Sequence, residues 1–407
     1  MNTNKKTPKL RFKGFSDDWE QCKLDDIAKI KTGGGTPKTA KPEYWSGNIP
    51  WIQSSDLVEG DITHVNINKF INNNALKNSA AKLISRDSIA LVTRVGVGKV
   101  AVINQDFTTS QDFLSLSDFD RSDIKFLAYQ LYRLMQENAK VLQGTSIKGI
   151  TKTELIEQSI SIPNSGQEQH LISNVLSKID SIITLHQCKL EKLKLTKKAL
   201  LQKLFPKNGK HIPEIRFKGF TDAWEQRNLE SLFTKYEDKV KTPNSGYWRL
   251  GLRSHCKGTF HTYVDAGNEL ETAEMNRVQS GNFILNITFA WERALAVTNE
   301  EDQDKLVSHR FPQFKPNSDL AIDFFKHTLI DKRFKHHLEL SSPGGAGRNK
   351  VLKIADMLKY ELLVPSIKEQ NEISSFLNNV DYIITLYQRK LDRLISIKKA
   401  LLQQLFV

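Results

Sequence analysis

The sequence predicts an α+β protein in which two mixed α/β domains are separated by two long helices. The helices are expected to pair as an antiparallel coiled coil with internal pseudo-two-fold symmetry. Three observations predict this fold: a motif that occurs twice, short β-branched runs inside each half, and a heptad pattern that ends each half. The predicted ranges are 1–163 for the first domain, 164–206 for the first helix, 207–365 for the second domain and 366–407 for the second helix.

A motif near the start of each half shows that the sequence contains two copies of one unit. Arg11-Phe-Lys-Gly-Phe-Ser-Asp-Asp-Trp19 returns almost unchanged from Arg216 to Trp224. Later landmarks keep the same order in both halves: a helix-like segment from Ser122 or Ser318, a glycine-containing loop, a proline and a Glu-Gln pair. The halves are therefore diverged copies of one unit, and the two tryptophans are expected to anchor the start of each domain.

Short apolar runs rich in β-branched residues predict the strands of each copy. In the first copy they are residues 62–67, 88–93 and 99–103, and in the second they are residues 281–290 and 294–298. Thr151, with Glu154 three residues later, has the spacing of a capping box and predicts a helix start. Each copy is thus predicted to be a mixed α/β globule followed by a long helix.

The long helices are predicted from apolar residues whose spacing alternates between three and four, the pattern of a coiled-coil seam. The seam residues are Leu176, Ile179, Ile183, Leu190, Leu193, Leu200, Leu377, Val380, Ile384, Leu391, Leu394 and Leu401. Polar or amphipathic exceptions coincide in the two copies, since His186 matches Tyr387 and Lys197 matches Lys398. Because the second globule follows the first helix, the second helix can bury its seam only by running back along it. This predicts antiparallel pairing over roughly 43 Å and a C-terminus near the first globule.

Composition narrows the class of protein. The net charge of +13 and the pI near 9.4 favour a polyanionic partner such as nucleic acid, although an ordinary basic surface is equally consistent. No apolar run is long enough to span a membrane and the first residues are polar, so we expect no membrane partner and a cytoplasmic location. Cys22, Cys188 and Cys256 lie far apart, which excludes a disulfide framework and a four-ligand zinc site.

Sequence motifs of catalysis are missing. There is no Pro-Pro pair, so the loop of an adenine methyltransferase is absent, and there is neither a phosphate-binding Gly-Lys-Ser/Thr loop nor a His-Glu-x-x-His motif. Gly96-Val-Gly98 lacks the third glycine of a dinucleotide loop. The spacing of His255, Cys256 and His261 is more typical of loop residues than of metal ligands. We therefore expect no catalytic residue and no metal.

Candidate DNA contacts are basic, amide, hydroxyl and aromatic residues in loops, because these groups bind base edges and phosphates. The candidates are Thr36, Gln53, Ser54, Arg94, Lys99, Thr145, Lys148, Arg253, Lys257, Trp291, Arg293, Arg348 and Lys350. A solvated surface position is the commoner role for any single Lys or Arg, and core packing is an equal alternative for Trp51 and Trp291. Residues 31–117 and 235–316 share little, whereas the flanking scaffold matches closely. This contrast is typical of two similar frames that present different reading surfaces.

Along its whole length the chain resembles the specificity subunit of a type I restriction-modification enzyme. Residues 49–57, 94–101 and 144–151 resemble segments of that family's first recognition domain, whereas residues 286–294 depart from them. The resemblance implies two target-recognition domains, each reading one half of a bipartite asymmetric DNA target, with the helices setting the spacing and docking two adenine-methyltransferase (modification) subunits. Motor-nuclease (restriction) subunits would complete the complex.

The same resemblance implies that this chain binds no cofactor and that S-adenosylmethionine, ATP and Mg belong to the partner subunits. Two alternatives remain open. One is a self-sufficient DNA-modifying enzyme, and the other is a coiled-coil adaptor that binds only proteins.

Overall fold

The computed structural model describes residues 7–120, 122–143, 149–207, 209–344 and 350–407. The chain forms two compact units. The first consists of Met1–Lys189 with Tyr387–Val407, and the second is Leu190–Leu386. Each long helix thus contributes one part to each unit. Within the described ranges, no helix is both long enough and apolar enough to cross a membrane.

The first unit contains nine strands and four short or medium helices among the described residues, followed by the start of a long helix. The strands are β1 (Glu20–Lys23), β2 (Ala28–Gly33), β3 (Ile49–Ile52), β4 (Phe70–Ile71), β5 (Ser88–Val92), β6 (Val100–Ile103), β7 (Thr108–Thr109), β8 (Phe113–Phe119) and β9 (Ser159–Ile162). The helices are α1 (Leu24–Ile27), α2 (Asn73–Asn78), α3 (Ile124–Gln143), α4 (Lys152–Ile156) and the long helix α5 (Gly166–Lys203).

An antiparallel sheet in the order β2-β8-β5-β6 carries the core of the first unit. Strands β5 and β6 are buried along their whole length, in keeping with their largely apolar sequences. Helix α3 contributes Phe126, Leu127 and Leu131 to the same core, each without exposed surface. A smaller sheet, β4-β3-β7, and the pair β1-β9 complete the unit.

The second unit is built from more, shorter elements. Its strands are β10 (Glu225–Asn228), β11 (Phe233–Tyr236), β12 (Lys239–Lys241), β13 (Tyr247–Leu252), β14 (Thr259–Val264), β15 (Glu274–Arg277), β16 (Phe283–Leu285), β17 (Leu295–Val297), β18 (Leu306–Val307), β19 (Gln313–Pro316) and β20 (Glu361–Val364). Its helices are α6 (Leu229–Leu232), α7 (Ile322–Phe325), α8 (Lys332–Leu340), α9 (Ile354–Met357) and the second long helix α10 (Ile367–Gln404). The sheets have the orders β11-β19-β16-β17 and β12-β15-β18-β13-β14, with β10 paired to β20.

The strands predicted at 88–93 and 99–103 are confirmed as β5 and β6, and those at 281–290 and 294–298 as the shorter β16 and β17. The strand predicted at 62–67 is wrong. This segment is a loop with one isolated bridge, between Val65 and Leu57. Its apolar character reflects burial of Ile62, whose carbonyl accepts a hydrogen bond from the amide of Val102 at 2.7 Å.

The helix expected after Ser122 is the continuous α3, but its counterpart after Ser318 is broken into α7, a short turn and α8. Asp331 causes the restart, because its side chain caps α8 by accepting from the amide of Arg333 at 2.8 Å. The capping box predicted from Thr151 and Glu154 is confirmed at the start of α4, with reciprocal bonds of 3.2 and 2.8 Å.

The repeated arginine of each opening motif holds the repeated glutamate at the start of each long helix. Arg11 makes a bidentate pair with Glu168 at 2.8 and 3.0 Å, and Arg216 makes the same pair with Glu369 at 2.7 and 2.8 Å. Both carboxylates are buried, with 1% of the side chain exposed. The neighbouring glutamines are also engaged, since Gln169 donates to the carbonyl of Pro163 and Gln370 to that of Pro365 at 2.9 Å.

The tryptophan of the first opening motif lies in an aromatic cluster that a distant helix completes. Trp19 packs edge-on against Phe126 of α3 at 5.7 Å and Phe406, just beyond α10, at 6.2 Å. Phe126 and Phe406 stack at 5.2 Å. The C-terminus therefore returns to the first globule, as the antiparallel pairing predicts.

The second unit contains the corresponding cluster. Trp224 packs edge-on against Phe324 of α7 at 5.6 Å and Phe205, just beyond α5, at 5.9 Å, and the two phenylalanines stack at 5.3 Å. Each globule thus closes its aromatic cluster with the end of the long helix that belongs to the other copy in sequence. The prediction that the tryptophans anchor each globule is confirmed.

The seam of the long helices is covered in both units. Leu176, Leu190, Leu377 and Leu391 are buried, and the other eight predicted seam residues are partly buried. Some apolar residues off the seam are exposed, for example Leu185, which is 68% exposed.

Two ion pairs give the direction of the helices. In the first unit Lys398 pairs with Asp180, and in the second Lys197 pairs with Asp381. Each pair joins a residue near the start of one helix to a residue near the end of the other. The predicted antiparallel pairing is therefore confirmed, and it explains why both helices carry a lysine in the seam.

Candidate nucleic-acid interface

In the first unit, glycines bring the loop that carries Thr36 against the strand β7. A Cβ at Gly34 would collide with the carbonyl of Ser110, so only glycine allows this close approach. Thr36 donates its hydroxyl to the side chain of Gln111 at 2.5 Å. Trp51 is 4% exposed and donates its indole N–H to Gly35 at 3.1 Å, so it packs in the core.

Lys99 is engaged inside the protein. Its ammonium donates to the carbonyls of Ser54 and Leu57 at 3.0 and 2.9 Å, so it holds the turn that carries two other candidates, Gln53 and Ser54. Gln53 in turn accepts a bond from Lys69 at 3.3 Å. Nothing in the sequence around Lys99 indicates that it supports this turn.

Arg94 lies at an open cleft of about 660 Å³. Its side chain is exposed and makes no ion pair or hydrogen bond within the part of the chain that the structure describes. Gln111 and Lys152 also line the cleft and were not predicted from sequence. The predicted residues Thr145, Lys148 and Arg348 lie outside the described residues.

In the second unit, the turn between β13 and β14 packs against the turn at 290–293. Ser254 donates to the carboxylate of Glu292 at 2.9 Å, and the amide of Cys256 donates to the carbonyl of Arg293 at 2.9 Å. His255 and Cys256 both have left-handed backbones, with φ of 62° and 55°, so these contacts hold a strained turn. Arg253 and Lys257, both exposed, flank this turn.

A third predicted segment joins the same surface. The ammonium of Lys350 lies 5.1 Å from the ring centroid of Trp291, and the indole N–H of Trp291 donates to Thr288 at 3.2 Å. The backbone of Arg293 is also in the left-handed conformation, with φ of 59°. Its side-chain Nε is buried and has no hydrogen-bond partner among the described residues. The structure therefore brings together Arg253, Lys257, Trp291, Arg293 and Lys350.

A neighbouring cleft of about 590 Å³ adds further polar residues to this surface. Arg249, His309 and Arg310 line it, together with Asn286 and Phe260. Neither arginine side chain has an ion-pair or hydrogen-bond partner among the residues described. Arg310 lies in a short turn and has no local sequence pattern that separates it from an ordinary surface arginine.

The cysteine and histidines of this region have structural contacts. Burial raises the pKa of the Cys256 thiol, which donates to the carbonyl of Leu329 at 3.2 Å. His261 pairs with the buried carboxylate of Asp302 at 2.8 Å. In the described ranges, no group of three or more His, Cys, Asp and Glu side chains is placed to hold a metal ion.

Comparison with known proteins places the chain in a family. The model of the type I restriction modification DNA specificity domain matches residues 16–195 and 221–395. The chain therefore belongs to this family and carries its domain twice. The predicted family is confirmed, and with it the duplication read from the opening motifs.

Relatives agree with this assignment. The MjaIX specificity subunit of Methanocaldococcus jannaschii is 33% identical over 172 residues, which is 41% of this chain and 39% of the relative. The chain thus matches less than half the length of that relative. The putative MjaX specificity subunit of the same organism is 23% identical over 96% of this chain and 93% of its own length.

The fold has a solved counterpart. The crystal structure of a type I restriction-modification S subunit from M. genitalium has a TM-score of 0.60 at 17% identity, covering 98% of this chain and 99% of that chain. At this identity the likeness concerns the fold alone, and it confirms the predicted fold class.

Proposed function

We propose that this chain is the sequence-specific DNA-recognition subunit of a type I restriction-modification complex, in which each recognition domain reads one half of a bipartite asymmetric target. The proposed domains are 1–163 and 207–365, and the proposed spacer helices are 164–206 and 366–407. One observation carries the proposal. The same arginine–glutamate pair and the same aromatic cluster occur in both units, yet the two units place different loops and clefts between these scaffold elements.

In the first domain, the residues proposed to contact DNA are Thr36, Gln53, Ser54, Arg94, Thr145 and Lys148. Lys99 supports the turn that carries Gln53 and Ser54. The second domain uses another set of loops: Arg253, Lys257, Trp291, Arg293, Arg348 and Lys350. The net charge of +13 favours approach to DNA phosphates.

The proposed complex divides its chemistry among subunits. This chain is noncatalytic, two adenine-methyltransferase subunits dock on the paired helices, and motor-nuclease subunits join them. S-adenosylmethionine, ATP and Mg belong to those partners, and the complex works in the cytoplasm on double-stranded DNA.

The proposal is tested by sequencing the DNA of a host that expresses the chain with its modification subunits. We expect methylated adenines in two half-sites separated by an unread gap of roughly five to eight base pairs, because helices of roughly 43 Å are a little longer than one turn of B-DNA. A continuous palindromic target would contradict it. Arg94→Ala is expected to weaken recognition of one half-site, whereas Arg86→Ala, an exposed arginine paired with Asp87 at 3.2 Å, serves as a matched control.

The ruler role has its own test. Matched insertions in α5 and α10 should lengthen the unread gap and leave both half-sites unchanged. An unchanged gap would refute the ruler role. Methyl transfer by the purified chain alone would instead favour a self-sufficient enzyme, and a complex without sequence-specific DNA binding would favour a protein adaptor.

A further inference from the structure

The β13–β14 hairpin holds an arginine against an aromatic ring. The guanidinium carbon of Arg253 lies 5.2 Å from the centroid of the Phe260 ring, and its Nη1 donates to the carbonyl of Thr259. Arg253 directly follows β13, and Phe260 lies in β14 opposite Gly251. The guanidinium is thus fixed at two points beside the turn that packs on residues 290–293.

The ring of Phe260 lies where only a glycine fits beneath it. A Cβ at Gly251 would overlap the ring, so any other residue at this position would displace the ring from where it lies. An aromatic ring that covers a glycine on a neighbouring strand stabilises a sheet. Phe260 nevertheless remains 38% exposed and lines the cleft that also contains Arg249 and Arg310.

We propose that Arg253 is a base-reading arginine of the second recognition domain and that Phe260 and Gly251 are the positioning residues that orient it. The inference rests on the proposed function. Only one guanidinium nitrogen is engaged by Thr259, which leaves further donors for the bidentate contact that arginine makes with the two major-groove acceptors of guanine. The contact with Phe260 and the hydrogen bond to Thr259 restrict the guanidinium before DNA arrives, which lowers the entropy lost on binding.

Lys257 in the same turn is the natural contrast. It is exposed, and the structure shows no ring, ion pair or hydrogen bond that orients its side chain within the described residues. A flexible ammonium is a point charge suited to phosphate, whereas a guanidinium is a planar fork of donors suited to a base. The two residues are therefore expected to contribute separately to affinity and to base preference.

The test uses the full chain in complex with its modification subunits and S-adenosylmethionine, acting on a randomised duplex library. Sequencing of methylated molecules gives the base preference at every position of both half-sites. Arg253→Lys keeps the charge but loses the planar fork, and is expected to reduce preference for one guanine of one half-site by about 10- to 100-fold. Phe260→Ala should reduce preference at the same position, and the other half-site should stay unchanged.

Two further variants separate positioning from folding. Gly251→Ala should displace the ring and reduce the base preference at the same position. Gly251→Ala combined with Phe260→Ala should reduce it no further than Phe260→Ala alone.

Lys257→Gln tests the proposed phosphate contact. It should lower methylation of all sequences uniformly and reduce the salt dependence of binding by about one phosphate contact.

The outcomes distinguish this inference from the proposed function. If the wild-type complex reads no bipartite target, the proposed function fails. If it reads both half-sites and Arg253→Lys or Phe260→Ala leaves every base preference unchanged, this inference alone is overturned. A lower melting temperature with unchanged preference would show that Phe260 merely covers Gly251.

Discussion

The ion pairs between the long helices occupy equivalent positions but differ in burial, so the same substitution should have very different costs. Lys398 and Asp180 are 7% and 3% exposed, whereas Lys197 and Asp381 are 24% and 44% exposed. Asp180 also accepts a hydrogen bond from Tyr129 at 2.6 Å, and Lys398 donates to the carbonyl of Gly60. The buried pair therefore joins both long helices to the first globule.

We expect Lys398→Met to lower the free energy of unfolding by about 3–5 kcal/mol, because it leaves the Asp180 carboxylate buried without its cation. Lys197→Met should cost about 1 kcal/mol or less, because its partner remains hydrated. Urea denaturation of the full chain, followed by circular dichroism at pH 7, measures both values. The double variant Asp180→Leu with Lys398→Met should recover most of the loss, since an apolar pair replaces the buried charges.

The pH dependence of the stability of Lys398→Met provides a second test of the buried ion pair. Burial raises the pKa of Asp180, and loss of Lys398 should raise it further. A carboxyl whose folded pKa exceeds its unfolded pKa destabilises the fold at neutral pH, and this penalty decreases as pH falls through the folded pKa. The variant should therefore approach the wild type on mild acidification. Equal losses for Lys398→Met and Lys197→Met at pH 7 would refute the reasoning.

A buried histidine, a buried carboxylate and a buried aromatic ring give three further predictions about stability. Burial, with Lys197 nearby, lowers the pKa of His327 to about 4. The free energy of unfolding should therefore have its full value above about pH 6.5 and be about 2 kcal/mol lower at pH 5, because the unfolded histidine binds a proton more readily. His327→Gln should remove this decline, as measured by melting curves at a series of acidic pH values. Arg216→Ala should lower the free energy of unfolding in urea by about 3 kcal/mol or more, because Glu369 stays buried and unpaired. Lys218→Ala, which changes an exposed lysine of the same motif, should cost almost nothing. Phe406→Ala should cost about 3–5 kcal/mol, since Phe406 is 3% exposed against Trp19, and an undiminished melting temperature would show that the helix end does not close the aromatic cluster.

Local patterns were sufficient for much of the scaffold. The heptads of α5 and α10, the capping box at Thr151 and the buried strands β5 and β6 all follow from patterns over a few residues. The same kind of pattern failed at residues 62–67, where an apolar segment is buried by loop packing and not by a strand ladder. Spacing along the chain records which faces are apolar, but not which surface covers them.

The candidate site depended more on tertiary structure. Lys99 and Arg94 are both basic residues of the same turn in sequence. In the structure Lys99 donates to two backbone carbonyls, whereas Arg94 is exposed to solvent. Arg249 and Arg310 carry no distinguishing motif, and they meet only because their segments fold to one cleft. Contacts between segments far apart in sequence made these distinctions.

The amino-acid sequence by itself determined the duplication, the two long helices and their antiparallel direction, because repeats and heptads are local and the order of segments allows only one way to bury both seams. The tertiary structure decided that each globule is closed by the helix end of the other copy, with Phe406 on Trp19 and Phe205 on Trp224. It also decided which of two equivalent lysines is buried. These outcomes depend on contacts between residues far apart in the chain, whose energies come from packing and desolvation.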